Sequence, residues 1–229
     1  MRRQIPNLIT LGNLLSGVVA VYFSLSDSLL PAALFVCLGI FLDFFDGMAA
    51  RLLGVASPIG RELDSLADVV TSGIAPGFIL YRTLDECLVG GPRWLAFAAF
   101  LIPLFSAYRL AKFNLDDRQS HAFLGLPVPS NALIWVGIAL WPNLPTGIIP
   151  ALILIVLSLI TNILMISEMP MFSLKVDFKD MTWRHNRVQY IFLIGCMAII
   201  AVTRQWYAIS VTILWYITLS AITQRDHAE

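Results

Sequence analysis

Charge is scarce in this chain. Only 13% of its 229 residues are Asp, Glu, Lys or Arg, against the ~25% usual in soluble domains. So few polar side chains cannot cover a water-facing surface, which excludes a soluble fold. The same scarcity excludes disorder, because disordered chains are polar and highly charged. An excess of positive charge is also missing: 15 basic and 15 acidic residues cancel to a net charge of +0. A nucleic-acid footprint needs a basic excess, so none is expected. Cysteine is rare as well. Cys37, Cys87 and Cys196 are odd in number, far apart and form no CxxC pair, so neither a disulfide framework nor a zinc site is read from them. Internal repeats and low-complexity tracts are absent.

Apolar residues make up 58% of the chain, and the mean hydropathy is +0.79. A bilayer-spanning helix needs ~20 mostly apolar residues. Eight segments meet or approach that length: 7–25, 30–53, 60–84, 94–111, 128–141, 148–166, 188–202 and 206–222. The expected fold is an all-α integral membrane protein, one transmembrane domain over residues 1–229 built from about eight helices. The fifth and seventh segments fall short of full bilayer thickness, which suits a tilted or re-entrant helix. Arg2 and Arg3 before an apolar run resemble a secretory signal, but Pro6, Asn7 and Asn13 interrupt the run and no cleavage site follows. The first segment is therefore read as an uncleaved span.

The basic residues set the expected orientation. With a cytoplasmic N-terminus and eight alternating spans, 12 cations fall inside. These are Arg2, Arg3, Arg51, Arg61, Arg109, Lys112, Arg118, Lys175, Lys179, Arg184, Arg187 and Arg225. Only Arg82, Arg93 and Arg204 fall outside, as the positive-inside rule requires. Tyr22, Tyr81, Trp94, Trp141 and Trp206 then sit near the outer interface as an aromatic belt. The longest polar stretch, about 169–187, becomes a cytoplasmic connection. It reads equally as an interfacial segment on anionic lipid and as a solvated loop. His121, His185 and His227 fall in cytoplasmic segments without ligand spacing and are read as surface residues.

Against this background one region concentrates acids. Asp43, Asp46, Glu62, Asp64 and Asp68 fall within the second and third spans, together with Arg51 and Arg61. Ionisable groups at membrane depth are costly and mark functional sites. At ~100° per residue, Asp43, Asp46, Gly47 and Ala50 share one face of the second span, and Gly60, Asp64 and Asp68 one face of the third. Four converging carboxylates do not all stay ionised without cations. Oxygen-only ligands suit Mg²⁺ or Mn²⁺. Gly47 and Ala50 leave space for a bulky ligand, and the Arg51 guanidinium suits a phosphate. Together these features suggest a diphosphate ligand reacting near the cytoplasmic interface. Two other readings fit the same residues: an ion-paired packing network, and an ion path of a channel, transporter or proton relay. Glu62, early in its helix, also complements the helix dipole.

The string from Asp43 to Asp68 resembles the signature of the CDP-alcohol phosphotransferases, D-x2-D-G-x2-A-R-x8-G-x3-D-x3-D. Its fixed positions are Asp43, Asp46, Gly47, Ala50, Arg51, Gly60, Asp64 and Asp68, and all of them match. At average composition such a match arises by chance on the order of 10⁻¹⁰ times per start position. The resemblance implies a six-helix family core, here with two further C-terminal helices. It implies two divalent cations, Mg or Mn, held by Asp43, Asp46, Asp64 and Asp68 over the diphosphate of a CDP-linked donor. It makes Asp68 the general base. It places Gly47, Ala50, Arg51 and Ser57 around the CDP group, with Asn7 and Thr10 from the first span. Ser57-Pro58 reads independently as a helix N-cap with proline at N1.

Further strings resemble the bacterial and archaeal members that use serine as acceptor. They are 62–68 (ELDSLAD), 108–114 (YRLAKFN) and 123–130 (FLGLPVPS). Many such members carry arginine where Lys112 stands, so the charge is kept and the bidentate fork is lost. The resemblance implies transfer of the phosphatidyl group of CDP-diacylglycerol to L-serine, giving phosphatidylserine and CMP. Arg109, Lys112 and Asn114 are the expected serine contacts. A homodimer in the cytoplasmic membrane, with the site facing the cytoplasm and bilayer lipids as neighbours, is implied in the same way. The alternative keeps the chemistry with another acceptor, such as inositol phosphate or glycerol phosphate.

Overall fold

A computed structural model describes residues 4–55, 57–115, 123–172 and 186–228, without the side chains of Phe123 and residues 224–228. Arg2, Arg3, Arg118, His121, Lys175, Lys179, Arg184, His185 and most of the 169–187 connection lie outside the described residues, as do the Arg225 and His227 side chains.

Each expected span is a helix. Helix α1 (Ile5–Leu25) opens with Pro6 in its first turn, where a missing N–H costs nothing. Helix α2 (Leu29–Leu53) folds back along α1 and stops at Gly54, whose φ of 62° closes the helix with a left-handed cap. Helix α3 (Pro58–Asp68) starts on Ser57, whose Oγ accepts the Gly60 amide at 3.1 Å. A π-helical turn, Val69–Ile74, follows directly and leads into α4 (Ala75–Cys87). Pro76 lacks the amide that the preceding turn would need, and the wider turn absorbs that loss. A 3₁₀ segment, Arg93–Phe100, runs into α5 (Leu101–Leu115). Helices α6 (Val128–Ala139), α7 (Ile148–Ile166), α8 (Arg187–Thr203) and α9 (Ala208–Ala228) complete the bundle.

Two short strands, β1 (Phe123–Leu124) and β2 (Pro170–Met171), pair antiparallel between α5 and α8 in sequence. Beside them Gly125 has a φ of 74°, and a Cβ there would meet the Met165 carbonyl at 2.6 Å. Only glycine fits that position without strain. The Leu126 amide then donates to the Leu164 carbonyl, satisfying the end of α7.

Five helical stretches are long and apolar enough to cross a membrane: Ile5–Leu25, Leu29–Leu53, Pro58–Cys87, Arg93–Leu115 and Ile148–Ile166. The other three apolar helices are shorter, including the two that the sequence marks as short. Polarity is arranged inside out relative to a water-soluble protein. Asn13, Asn131 and Asn162 are fully buried, while Leu15, Leu104 and Ile153 are more than 60% exposed. An apolar exterior over a partly polar interior is what lipid solvation selects. The protein is therefore a multi-pass membrane protein.

Small residues bring α1, α2, α4, α5 and α6 together. Ala20, Ala32, Ala33, Ala75 and Ala132 form one buried cluster with Val36, Ile79 and Val136. A Cβ on Gly77 would sit 2.9 Å from Pro103, and one on Gly73 would sit 3.0 Å from Ser106. The acid-bearing third span is thus pressed against α5. A second cluster, with Leu80, Leu84, Trp135, Met165 and Tyr216, packs the later helices onto the first set.

Candidate active site

The site lies where α2 ends and where α1 and α3 begin. Asp43 and Asp46 occupy successive turns of α2, and Asp64 and Asp68 successive turns of α3. One carboxylate oxygen from each of Asp43, Asp64 and Asp68 falls within 4.8 Å of the others. Asp46 is placed differently. It is buried, and its Oδ2 accepts the Thr10 hydroxyl at 2.5 Å. Asp68 is buried too, and its Oδ1 accepts the Asn13 side-chain amide at 3.2 Å. Helix α1 therefore supplies one hydrogen bond to each helix of the acidic pair.

A cavity of about 440 Å³ opens beside these acids. Asn7, Thr10, Gly47, Ala50, Arg51 and Ser57 all line it, as do Asp46, Gly60, Arg61, Glu62 and Asp64. All six residues expected around the CDP group thus face one space. Gly60 makes the close approach possible: a Cβ there would lie 3.2 Å from Ser57 Oγ and 3.4 Å from Asn7 Oδ1. Ser57 is both the N-cap of α3 and part of the wall, so its two readings from sequence are compatible.

Among the described residues, neither Arg51 nor Arg61 lies within ion-pair distance of an acid. An ion-paired packing network would require such pairs. Instead the two cations flank the cavity, in position for an anionic ligand. The carboxylates fit a hard divalent cation. Three converge, they offer oxygen only, and the buried Oδ1 of Asp64 has no hydrogen-bond partner among the described residues. Clustered carboxylates left without a cation repel one another at a cost that a bound ion removes.

The three expected serine contacts are not brought together in this cavity. Arg109 is buried, donates from Nη2 to the Leu124 carbonyl at 2.6 Å, and lies over the Phe113 ring at 5.4 Å. Lys112 pairs with Glu168 at 3.8 Å. Both line a narrow crevice against the end of α7 rather than the large cavity. Asn114 does reach the acidic helix, donating to Ser65 Oγ at 2.8 Å.

Asn13 is the site neighbour that sequence reasoning missed. It sits three residues after Thr10 on α1, a spacing that marks a polar position but does not say which acid it reaches.

The model of the family described as CDP-alcohol phosphatidyltransferase matches residues 3–174, which covers the cavity and all four aspartates. A protein from Bacillus subtilis (strain 168), named CDP-diacylglycerol–serine O-phosphatidyltransferase, is 42% identical over 125 residues, 55% of this chain and 69% of that protein. A protein of the same name from Methanocaldococcus jannaschii is 31% identical over 199 residues, 86% of this chain and 84% of the relative. A third, from Helicobacter pylori (strain J99 / ATCC 700824), is 35% identical over 140 residues, which span 58% of its length.

Proposed function

Since this chain belongs to the CDP-alcohol phosphatidyltransferase family, we propose that it transfers the phosphatidyl group of CDP-diacylglycerol to L-serine, giving phosphatidylserine and CMP. It is an enzyme of phospholipid synthesis. The observation that carries the reading is the single cavity that gathers Asn7, Thr10, Gly47, Ala50, Arg51 and Ser57 beside the converging aspartates. Serine as acceptor is supported by the names of relatives that span most of this chain.

In this mechanism the CDP group enters between α1, α2 and α3. Gly47 and Ala50 let it approach the α2 backbone, and Arg51 faces its phosphates. Asp43, Asp64 and Asp68, with Asp46, would hold divalent cations, Mg or Mn and two per site, which offset charge on the diphosphate and on departing CMP. The serine hydroxyl oxygen attacks the phosphorus that bears the diacylglycerol. A new P–O bond forms, the phosphoanhydride P–O bond to CMP breaks, and CMP leaves with that electron pair. Asp68 takes the hydroxyl proton. Its burial keeps bulk water from competing as acceptor.

Arg109, Lys112 and Asn114 remain the proposed serine contacts, with Asn114 best supported by its bond to Ser65 beside Asp64. The protein sits in the cytoplasmic membrane with the cavity facing the cytoplasm, surrounded by bilayer lipids, and works as a homodimer. An acceptor panel tests the reading. Labelled CDP-diacylglycerol is offered with serine, glycerol phosphate or inositol phosphate. Phosphatidylserine formation at least tenfold above the other products supports serine; a preference for a phosphorylated alcohol overturns it.

A further inference from the structure

Asn13 is fully buried in α1, where nothing in an ordinary helix interface calls for an amide. Its Nδ2 donates to Asp68 Oδ1 at 3.2 Å. Its Oδ1 has no partner among the described residues. Leaving a buried amide oxygen unsatisfied costs about 1–3 kcal/mol, and an apolar residue of similar size would avoid that cost. Packing therefore does not account for Asn13, whereas its bond to Asp68 does.

The surroundings fix the amide in place. The Thr71 hydroxyl, in the π-turn directly after Asp68, donates to the Asn13 backbone carbonyl at 2.9 Å. Gly17 lies against Thr71, and a Cβ there would sit 2.8 Å from the Thr71 Cα. Gly39 of α2 lies against both residues; its Cβ would be 2.9 Å from Asn13 Oδ1 and would collide with the Thr71 methyl. Two glycines thus make room for an Asn13–Thr71 bracket at the crossing of α1, α2 and the third span. Asp68 and Thr71, three residues apart across the start of the π-turn, thus both reach Asn13. Wide turns of this kind often occur at functional sites.

We propose that Asn13 is the positioning residue of Asp68. Its amide fixes one carboxylate oxygen, so that the other is presented to the acidic cluster and the incoming hydroxyl. The Thr71 contact holds Asn13 in register. This inference rests on the proposed function for its kinetic part only. Partners of this kind are worth about 10- to 100-fold in metal affinity or activity.

The test uses the full-length protein in detergent and compares Asn13→Leu and Asn13→Ala with wild type. Three quantities are read: kcat and KM for serine-dependent CMP release, Mn²⁺ affinity by calorimetry without substrate, and the melting temperature. The expected result is a 10- to 100-fold fall in kcat, a KM for CDP-diacylglycerol within threefold of wild type, and about tenfold weaker Mn²⁺ binding, in protein that still melts cooperatively. Wild-type kcat and Mn²⁺ affinity in Asn13→Leu overturn the proposal, and so does a raised KM for CDP-diacylglycerol with kcat intact. If neither variant folds, Thr71→Val decides. It keeps shape and removes the brace, so both kcat and Mn²⁺ affinity should fall; wild-type values there overturn the proposal. If wild type itself releases no CMP with serine, the proposed function fails, and Mn²⁺ binding alone decides on Asn13.

Discussion

At the residue scale, the aspartates differ in what surrounds them. Asp68 is buried and bonded to Asn13, Asp46 is bonded to Thr10, and Asp43 and Asp64 converge with Asp68. Asp68→Asn keeps the shape and removes the base. It should lower kcat by roughly 10²–10⁴-fold, the range of general-base contributions, while CDP-diacylglycerol still binds. Arg51 faces the cavity without an acidic partner among the described residues. A charged hydrogen bond is worth about 1.5–3 kcal/mol, so Arg51→Ala should raise KM for CDP-diacylglycerol by about 10- to 100-fold. Steady-state kinetics on the purified variants checks both. The spacing of Asp43, Asp46, Asp64 and Asp68 was legible from sequence because helix periodicity alone puts each pair on one face. Asn13 was not legible as a partner, because its role depends on how far α1 slides along the third span. Gly17 and Gly39 set that offset by contact, and no sequence period reports it.

At the element scale, the third span is three pieces in one rod: α3 with the acids, a π-turn, and α4 against α5. Its start and its length were readable from Ser57-Pro58 and the apolar run. The π-turn was not, because Pro76 inside an apolar run permits either a kink or a wider turn, and the choice is made by packing against Asn13 and Ser106. Gly17→Ala tests that packing. Its Cβ would press on the Thr71 backbone, so α1 and the π-turn must separate. The melting temperature should fall by several degrees, as overpacking costs about 1–3 kcal/mol. A melting curve equal to wild type would mean that the two elements are not in close contact. The proposed serine contacts depend on packing between elements that helix spacing does not report. Arg109 and Lys112 stand one helical turn apart, yet they turn to Leu124 and Glu168 rather than to the main cavity.

At the scale of the whole molecule, the two ends of the bundle differ. One end holds the cavity. The other holds Arg82, which pairs with Asp27 at 2.6 Å, Asp85 at 3.2 Å and Glu86 at 3.4 Å, with Arg93 beside Asp85. These groups are partly exposed, and such pairs contribute at most about 1 kcal/mol each. Arg82→Ala should therefore lower the melting temperature slightly and leave CMP release at the wild-type rate. The same division gives a topology test. In a background without Cys37, Cys87 and Cys196, Val89→Cys in the exposed loop after α4 should react with an impermeant thiol reagent added to intact cells. Leu115→Cys at the end of α5 should react only after the membrane is opened. The reverse pattern would invert the orientation. The helix count was legible because charge is scarce enough to leave long apolar runs, and the site was legible because a bilayer leaves so few acids to choose from.

The most direct measurement is CMP release by the purified protein from CDP-diacylglycerol, with and without serine, in Mg²⁺ or Mn²⁺ and after chelation. Release should require both serine and the divalent ion and should be lost in Asp64→Asn. Release that ignores serine, or that persists at the wild-type rate after chelation or in Asp64→Asn, would contradict the proposed function.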